Sequence, residues 1–378
     1  MGSAEPTRPA GGAAADGNDA EARRQLAVCN ICNYCNGLCA VFDAAERRAR
    51  LAPGDLDLLA NLCHQCRSCL YDCQYAPPHA FDVNLPRALA RQRWASYRAY
   101  AWPSALAVLF AGGGRWFPGL ALGITVAFTA AVLLAVPSSV LFSAQVGEGA
   151  FYRIIPWWLM VAGAGLGFGW AILAIGMGVR RFWRTTAPAM AVSAPPAAAA
   201  ATATLEVLTL TNQRGGGPGC ADIDHRPSRL RRRFHHALFY GFLLCFAATL
   251  AASGYHHLLG RAAPYPLLSL PVLLGMLGGL GMVAGTVGLL WLAHREDPAP
   301  TDPDSRGADR ALLWLLLAVA VTGLALLALR ETAAMGLLLA VHLGTVLALF
   351  VLAPYGKLVH GAYRAAALMR DALERRGR

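Results

Sequence analysis

Two short runs of cysteine constrain this chain more than any other feature. Cys29, Cys32, Cys35 and Cys39 repeat in kind as Cys63, Cys66, Cys69 and Cys73, each run spaced C-x2-C-x2-C-x3-C, and together they take eight of the ten cysteines. Thiolates this close in sequence wrap three corners of an iron–sulfur cube and send the fourth cysteine across to a second cube. The spacing therefore predicts two [4Fe–4S] clusters, one on Cys29, Cys32, Cys35 and Cys73, the other on Cys63, Cys66, Cys69 and Cys39. Structural zinc is a weaker alternative, because it takes two C-x-x-C knuckles across a longer loop and one such run would leave thiolates over. A disulfide framework is weaker too. Residues 1–25 are Gly, Ala and charged residues with no apolar core, so no secretory signal is read there and the thiols are expected to stay reduced in the cytoplasm.

In the bacterial ferredoxin pattern proline follows the fourth cysteine, whereas Ala40 and Gln74 stand there in this chain. Between the runs, AAERRARLAPGDLDLLANL is rich in helix formers, with a turn at Pro53-Gly54 and Asp55 as a helix start. Two helical pieces joined by a turn suit a helical ferredoxin-like domain over residues 26–80. His64, inside the second run, is read as solvated or as orienting a ligand, since four cysteines already complete each cube.

The rest of the chain is too apolar for a soluble globule: 56% of the 378 residues are hydrophobic and only 15% charged. Six stretches, about 119–142, 155–179, 236–258, 267–293, 311–329 and 335–356, are each long enough to span a bilayer. The fold class is therefore all-α: an N-terminal helical ferredoxin-like domain with two [4Fe–4S] clusters, then a polytopic membrane helix bundle of about six spans. The divisions read from composition are a disordered tail at 1–25, the dicluster domain at 26–80 and an interfacial basic and aromatic segment at 81–110. Two spans follow at 111–182, a cytoplasmic linker at 183–234, a four-span haem-binding bundle at 235–362 and a basic tail at 363–378. Within the linker, SAPPAAAAATAT reads as flexible and LEVLTL as one short strand. RGGGPGC lacks the Lys-Ser/Thr of a phosphate loop, and no G-x-G-x-x-G follows a strand, so no Rossmann-type flavin or nicotinamide site is encoded. Cys220 is read as an ordinary thiol, Cys245 as packing, and the glycines of spans two (Gly163, Gly165, Gly167, Gly169) and four (Gly275, Gly278, Gly281, Gly285) as close helix packing.

The net charge of +11 lies in arginines beside apolar segments, not interleaved with aromatics on a soluble face, which argues for membrane orientation and against nucleic acid. Arg180, Arg181, Arg184, Arg214, Arg226, the Arg229–Arg233 group, Arg295, Arg306, Arg310 and the C-terminal basic residues fall on one side of the spans. Only Arg153, Arg261 and Arg330 fall on the other. The rich side is cytoplasmic, and an even number of spans puts the cysteine domain and the C-terminus there, in a multi-pass protein of the inner membrane.

Histidines mark both ends of two spans. His235-His236 opens span three and His256-His257 closes it, while His342 and His360 bracket span six. His342 and His360 are eighteen residues apart, five helical turns, so they share a face about 27 Å apart. His235 and His257 lie about 40° off a common stripe. Because the two spans run in opposite directions, His235 or His236 pairs by depth with His360, and His256 or His257 with His342. Facing pairs of this kind hold b-type haem, one or two here; isolated interfacial histidines are the alternative.

With these pieces in place the chain resembles the tricarballylate-utilisation protein B family, also found as the C-terminal half of the fused flavoprotein of aerobic cobalamin synthesis. The resemblance runs from about Cys29 to the C-terminus on both cysteine runs, GGGPGC before RRRFHHALFYGFLLCFA, YHHLLG before APYPLLSLPVLLG, and HLGTVLALFVLAPYGKLVHGAYR. The spacing in the last of these is also similar to one helix of the dihaem cytochrome b subunit of respiratory nitrate reductase. The family resemblance implies a membrane electron carrier that reoxidises the reduced flavin of an FAD-dependent dehydrogenase, tricarballylate dehydrogenase in the named system, and passes electrons to the quinone pool. Two other readings are a stand-alone disulfide or quinone reductase using Cys220, and a redox-sensing anchor. In the first reading, Arg47, Arg48, Arg50 and Arg67 offer a basic rim that steers an acidic flavoprotein.

Overall fold

The computed structural model describes residues 13–48, 50–188 and 195–375. As the sequence predicts, the regular structure in these residues is helical apart from one antiparallel pair of two-residue strands, Cys220–Ala221 and Pro227–Ser228. The cysteine domain is built from α1 (Ala13–Cys32), α2 (Ala40–Glu46), α3 (Pro53–Leu62), α4 (Ser68–Tyr71) and α5 (Leu85–Tyr100). The cysteines sit at helix ends: Cys29 and Cys32 in the last turn of α1, Cys39 just before α2 and Cys63 just after α3. Pro53 opens α3 and the Asp55 carboxylate accepts the Ala52 N–H at 3.1 Å, so the chain turns back sharply between the two runs.

One expectation about this half is corrected. The disordered tail is overturned from residue 13 onward, where α1 begins, because Asp19 and Gln25 are tied to the rest of the domain: Gln92 Nε2 donates to Asp19 at 2.6 Å and Asn84 N to Gln25 at 3.0 Å. Residues 1–12 lie outside the described residues. The basic and aromatic helix α5, expected at the lipid headgroups, is also a core element of the cysteine domain. Its Leu85, Leu89, Gln92, Arg93, Ser96, Tyr97 and Tyr100 are buried against α1 and α3, and Gln92 and Tyr100 both donate to the buried Asp57 carboxylate, at 2.9 and 2.7 Å. The apolar segment Ser104–Gly114, too short to cross, folds as 3-10 turns beside α5 and puts Phe110 against Trp94 and Tyr97.

Beyond it come α6 (Phe117–Ala135), the short α7 (Ser138–Leu141) and α8 (Ala150–Ile154), then α9 (Trp157–Thr185) and α10 (Pro196–Thr209). The last elements are α11 (Leu230–Leu259), α12 (Leu270–Arg295), α13 (Pro303–Leu329), α14 (Met335–Leu352) and α15 (His360–Arg375). Six helices, α6, α9 and α11 to α14, are long and apolar enough to cross a membrane. The cysteine domain, the 210–229 loop, the 296–302 loop and α15 gather at one end of this bundle. At the other end Arg330 Nη1 donates to Tyr265 O at 2.6 Å and Ala262 N to Glu148 Oε1 at 2.8 Å.

Two further segments are corrected here. The expected linker and strand at 195–210 form the single helix α10, as its alanine content favours once a neighbour is present, and Ala199 and Ala203 pack against α15. The expected basic tail is helix α15 as far as Arg375, held by Asp371 and Glu374 to the cysteine domain; residues 376–378 lie outside the described residues.

The glycine expectation divides. In α12 it holds: a Cβ on Gly278 would fall 2.8 Å from Cys245 N, and one on Gly241 of α11 would fall 2.7 Å from Met282 N. Cys245 is accordingly a packing residue. Of the four glycines named in α9 only Gly167 meets a neighbour, Leu347 and Phe350 of α14, while Gly163, Gly165 and Gly169 face open space. Gly278→Val should lower stability by about 1–3 kcal/mol through overpacking. The matched Gly165→Val should leave the thermal melt in detergent unchanged, and equal melts for the two would contradict this packing.

Candidate cofactor sites

The cysteines wall two adjacent cavities. One is lined by Cys29, Cys32, Cys35 and Cys73 with Tyr34, Phe42 and Tyr75, the other by Cys39, Cys63, Cys66 and Cys69 with Leu62, Leu89 and Asn212; Cys69 also reaches the edge of the first. The fourth cysteine of each run thus stands with the other run's first three. Burial, and then the neighbouring sulfurs, push the Cys29 thiol up to about 12 and the Cys35 thiol up to about 11, and push Cys39 and Cys69 up as well. Thiols that resist ionising together become ligands when a cation supplies the compensating charge, which is the fit an iron–sulfur cluster requires. Among the described residues no three His, Cys, Asp or Glu side chains converge as one metal ion would need. The sulfurs surround a space, as the corners of a cluster do.

The two cavities differ in depth. Ile31 and Tyr34, beside the first, are 84% and 73% exposed. The second is covered by loops between the membrane helices: Ala221 N donates to Cys66 O at 2.8 Å, Tyr71 OH to Asp297 at 2.6 Å, and Arg67 pairs with Glu296, which Arg231 also meets at 3.0 Å. This is the role of RGGGPGC. Gly215, Gly216, Gly217 and Gly219 all have positive φ, and a Cβ at Gly216 would strike the Leu38 side chain. Cys220 is buried and its Sγ donates to Gln213 O at 3.4 Å, so the redox-thiol reading lacks an accessible nucleophile.

His235 and His360 come together, with ring centres 6.3 Å apart and planes at 89°. Two imidazoles binding one metal from opposite sides at about 2 Å per bond put their ring centres about 6 Å apart, so this pair fits a bis-histidine haem. His360 Nδ1–H donates to Lys357 O at 2.7 Å, leaving Nε2 as the ligand nitrogen. His64 is held the same way by Leu62 O, at 2.7 Å. It is half-buried rather than solvated: burial, and then the Arg364 charge, hold both His64 and His360 well below the ordinary histidine range, and each has His235 as a neighbour.

The other predicted ligands are not brought together. His236 packs on Tyr240. His256 stacks on Trp157 of α9, with centroids 4.9 Å apart at 13°, and His257 meets the same ring edge-on at 5.3 Å. His342 turns to α13, where Nδ1–H donates to Thr322 Oγ1 at 3.0 Å and its ring lies where a Cβ on Gly323 would be. No ring contact joins His342 to either member of the outer doublet among the described residues.

The citrate utilization protein B model matches residues 116–378, and the citrate utilization protein B Fer4-like domain model matches residues 22–99. The chain is 44% identical over 359 residues to citrate utilization protein B of Escherichia coli, covering 95% of this chain and 93% of that protein. This chain belongs to the citrate utilization protein B family. No solved structure matches it. The family resemblance read from the motifs is borne out, and so is an iron–sulfur, multi-pass membrane protein with an electron-transfer role.

In this family member three arginines of the expected basic rim, Arg47, Arg48 and Arg67, are not free to steer a partner, while Arg50 is exposed. Arg47 pairs with Asp371 and Glu374, Arg48 with Asp55 and Glu374 at 2.8 and 2.7 Å, and Arg67 with Glu296. Except for Asp55, those partners lie hundreds of residues away, beyond any sequence pattern. Sequence reasoning also missed Arg93 and Arg364, which both donate to Cys63 O, at 2.8 and 2.9 Å. Their only sequence signal is arginine one turn before Tyr97 and one turn after His360.

Proposed function

We propose that this protein accepts electrons from the reduced flavin of a partner FAD-dependent dehydrogenase and passes them through two [4Fe–4S] clusters and b-type haem to the quinone pool. The observation that carries this reading is the packing of the inner cysteine cavity against the histidine pair: Cys63 leads into His64, which neighbours His235, and His235 faces His360. When bound, clusters and haem supply the one-electron chemistry. The chain's own residues hold them in sequence, with the exposed Tyr34 end outermost, the loop-covered Cys66 end next and His235 and His360 at the membrane. The partner's substrate is a small tricarboxylic acid, in keeping with the citrate of the relative's name and the tricarballylate of the resemblance. The cysteine domain and the C-terminus face the cytoplasm at the inner membrane, on the arginine count.

Membranes carrying the protein, mixed anaerobically with the reduced flavoprotein, should show haem reduction that disappears when the cluster cysteines are replaced. Haem reduction that survives loss of both clusters would sink the proposed order, and absence of haem from the purified protein would sink the haem assignment. Docking belongs on the apolar surface of Ile31, Tyr34 and Phe81, exposed by 84%, 73% and 48%. Tyr34→Asp should slow reduction by the flavoprotein about tenfold, the cost of roughly 1.4 kcal/mol at a contact, and leave reduction by dithionite unchanged. Equal flavoprotein rates would place the dock elsewhere.

A further inference from the structure

Where α5 and α15 meet beside the histidine pair they carry two arginines that no ion pair among the described residues neutralises. Arg93 and Tyr97 stand one turn apart on α5, and His360 and Arg364 one turn apart on α15. The rings of Tyr97 and Tyr363 lie 5.4 Å apart, so the two faces are in contact. Arg93 Nη1 donates to Ala60 O at 3.2 Å and to Cys63 O at 2.8 Å; Arg364 donates to Cys63 O at 2.9 Å and to Asn61 O at 3.4 Å. One carbonyl therefore holds two guanidinium groups side by side, and no carboxylate forms an ion pair with either among the described residues. Lys357 is nearby, but it is matched by Asp309 at 2.7 Å. Arg93 is only 4% exposed, and a charge so buried is costly without an anion. Burial, and then the Arg93 charge, pull Arg364 down to about 10, which still leaves it charged at neutral pH. A second observation points the same way: Tyr97 is 1% exposed and its hydroxyl has no hydrogen-bond partner.

We propose that Arg93, Arg364 and the Tyr97 hydroxyl form a binding site for a pair of carboxylates, those of the haem held by His235 and His360. The proposal rests on the haem reading above. Two arginines without an ion-pair partner match a ligand with two acidic side chains, and the Tyr97 hydroxyl supplies one further donor near Arg93 and Arg364. A phospholipid phosphate offers similar anionic chemistry, and the experiment separates the two.

The full-length protein in detergent, wild type and with Arg93→Gln, Arg364→Gln, both together, Arg364→Lys or Tyr97→Phe, is titrated reductively while the haem spectrum is followed. Cations beside the ring favour the reduced form, so each Gln variant should lower the reduction equilibrium about tenfold, which is about 59 mV for one electron. The double variant should fall further, Arg364→Lys should recover most of the loss, and Tyr97→Phe should shift the same way by less. Wild-type potentials and haem content in the Gln variants would overturn the proposal, as would an unchanged potential accompanied by loss of co-purified phospholipid phosphorus. If a Gln variant loses clusters and haem together through unfolding, Tyr97→Phe decides, and an unchanged potential there overturns it. A wild-type protein without haem would instead remove the reading on which the proposal rests.

Discussion

Cys39→Ala should abolish the EPR signal of the cluster held by Cys63, Cys66 and Cys69 and leave that of the cluster held by Cys29, Cys32 and Cys35 intact. Cys73→Ala should do the reverse. The reason lies in how the domain turns. Cys39 stands just before α2 and lines the same cavity as Cys63, Cys66 and Cys69, while Cys73, past α4, lines the cavity of the first run. A cube short of one thiolate readily loses an iron, and no spare cysteine can substitute at either position. Cys220 is the nearest other thiol, but it is fixed by its bond to Gln213 O. If Cys39→Ala removes the signal assigned to Cys29, Cys32 and Cys35, the crossing is wrong and each run binds its own cluster. Electron transfer from the flavoprotein to haem should stop in both variants, because either cluster interrupts the series.

The parts of this fold that were legible in the sequence are those set by local chemistry. Cysteine spacing gave the grouping around two cavities, and apolar length gave all six spans, with ends up to about eight residues from those of Phe117–Ala135, Trp157–Thr185 and the rest. What depended on a neighbour was not legible. The basic and aromatic stripe of α5 has the pattern of a helix on lipid, and only the presence of α1 and α3 turns it into a core element. The alanine tract of α10 reads as linker until α15 supplies a surface for Ala199 and Ala203. Arg47 and Arg48 look like a steering surface because Asp371 and Glu374 are more than 300 residues away. For the histidines, helical periodicity fixes height and face only within one helix: α14 ends at Leu352 and His360 opens α15, so the five-turn spacing from His342 does not hold, and periodicity does not say which helix stands opposite. At the cytoplasmic level α11 and α15 do face each other through His235 and His360; at the outer level Trp157 of α9 occupies the face of His256 and His257.

That asymmetry gives the last prediction. His235→Ala and His360→Ala should each remove the same low-spin haem signal, since one imidazole cannot supply both axial ligands, and the double variant should lose no more haem than either single one. His236→Ala should retain it, because that ring packs on Tyr240. His342→Ala should also leave the cytoplasmic haem untouched. Depth still matches His342 to the outer doublet, and its Nδ1–H is already held by Thr322, which leaves Nε2 available for a metal. A second haem at that level requires Trp157 to yield the face of His256 or His257. Phe168 of α9 bridges Phe246 of α11 and Phe350 of α14, with ring centroids 5.5 and 5.3 Å apart, midway between the two histidine levels. The two levels are thus separated by packed rings, and a lesion at one should not propagate to the other. Haem content by pyridine haemochrome, measured beside the low-temperature spectrum, distinguishes the cases. A fall to half in both His360→Ala and His342→Ala means two haems, a fall to zero in His360→Ala alone means one, and unchanged content in His360→Ala would end the assignment of this pair as ligands.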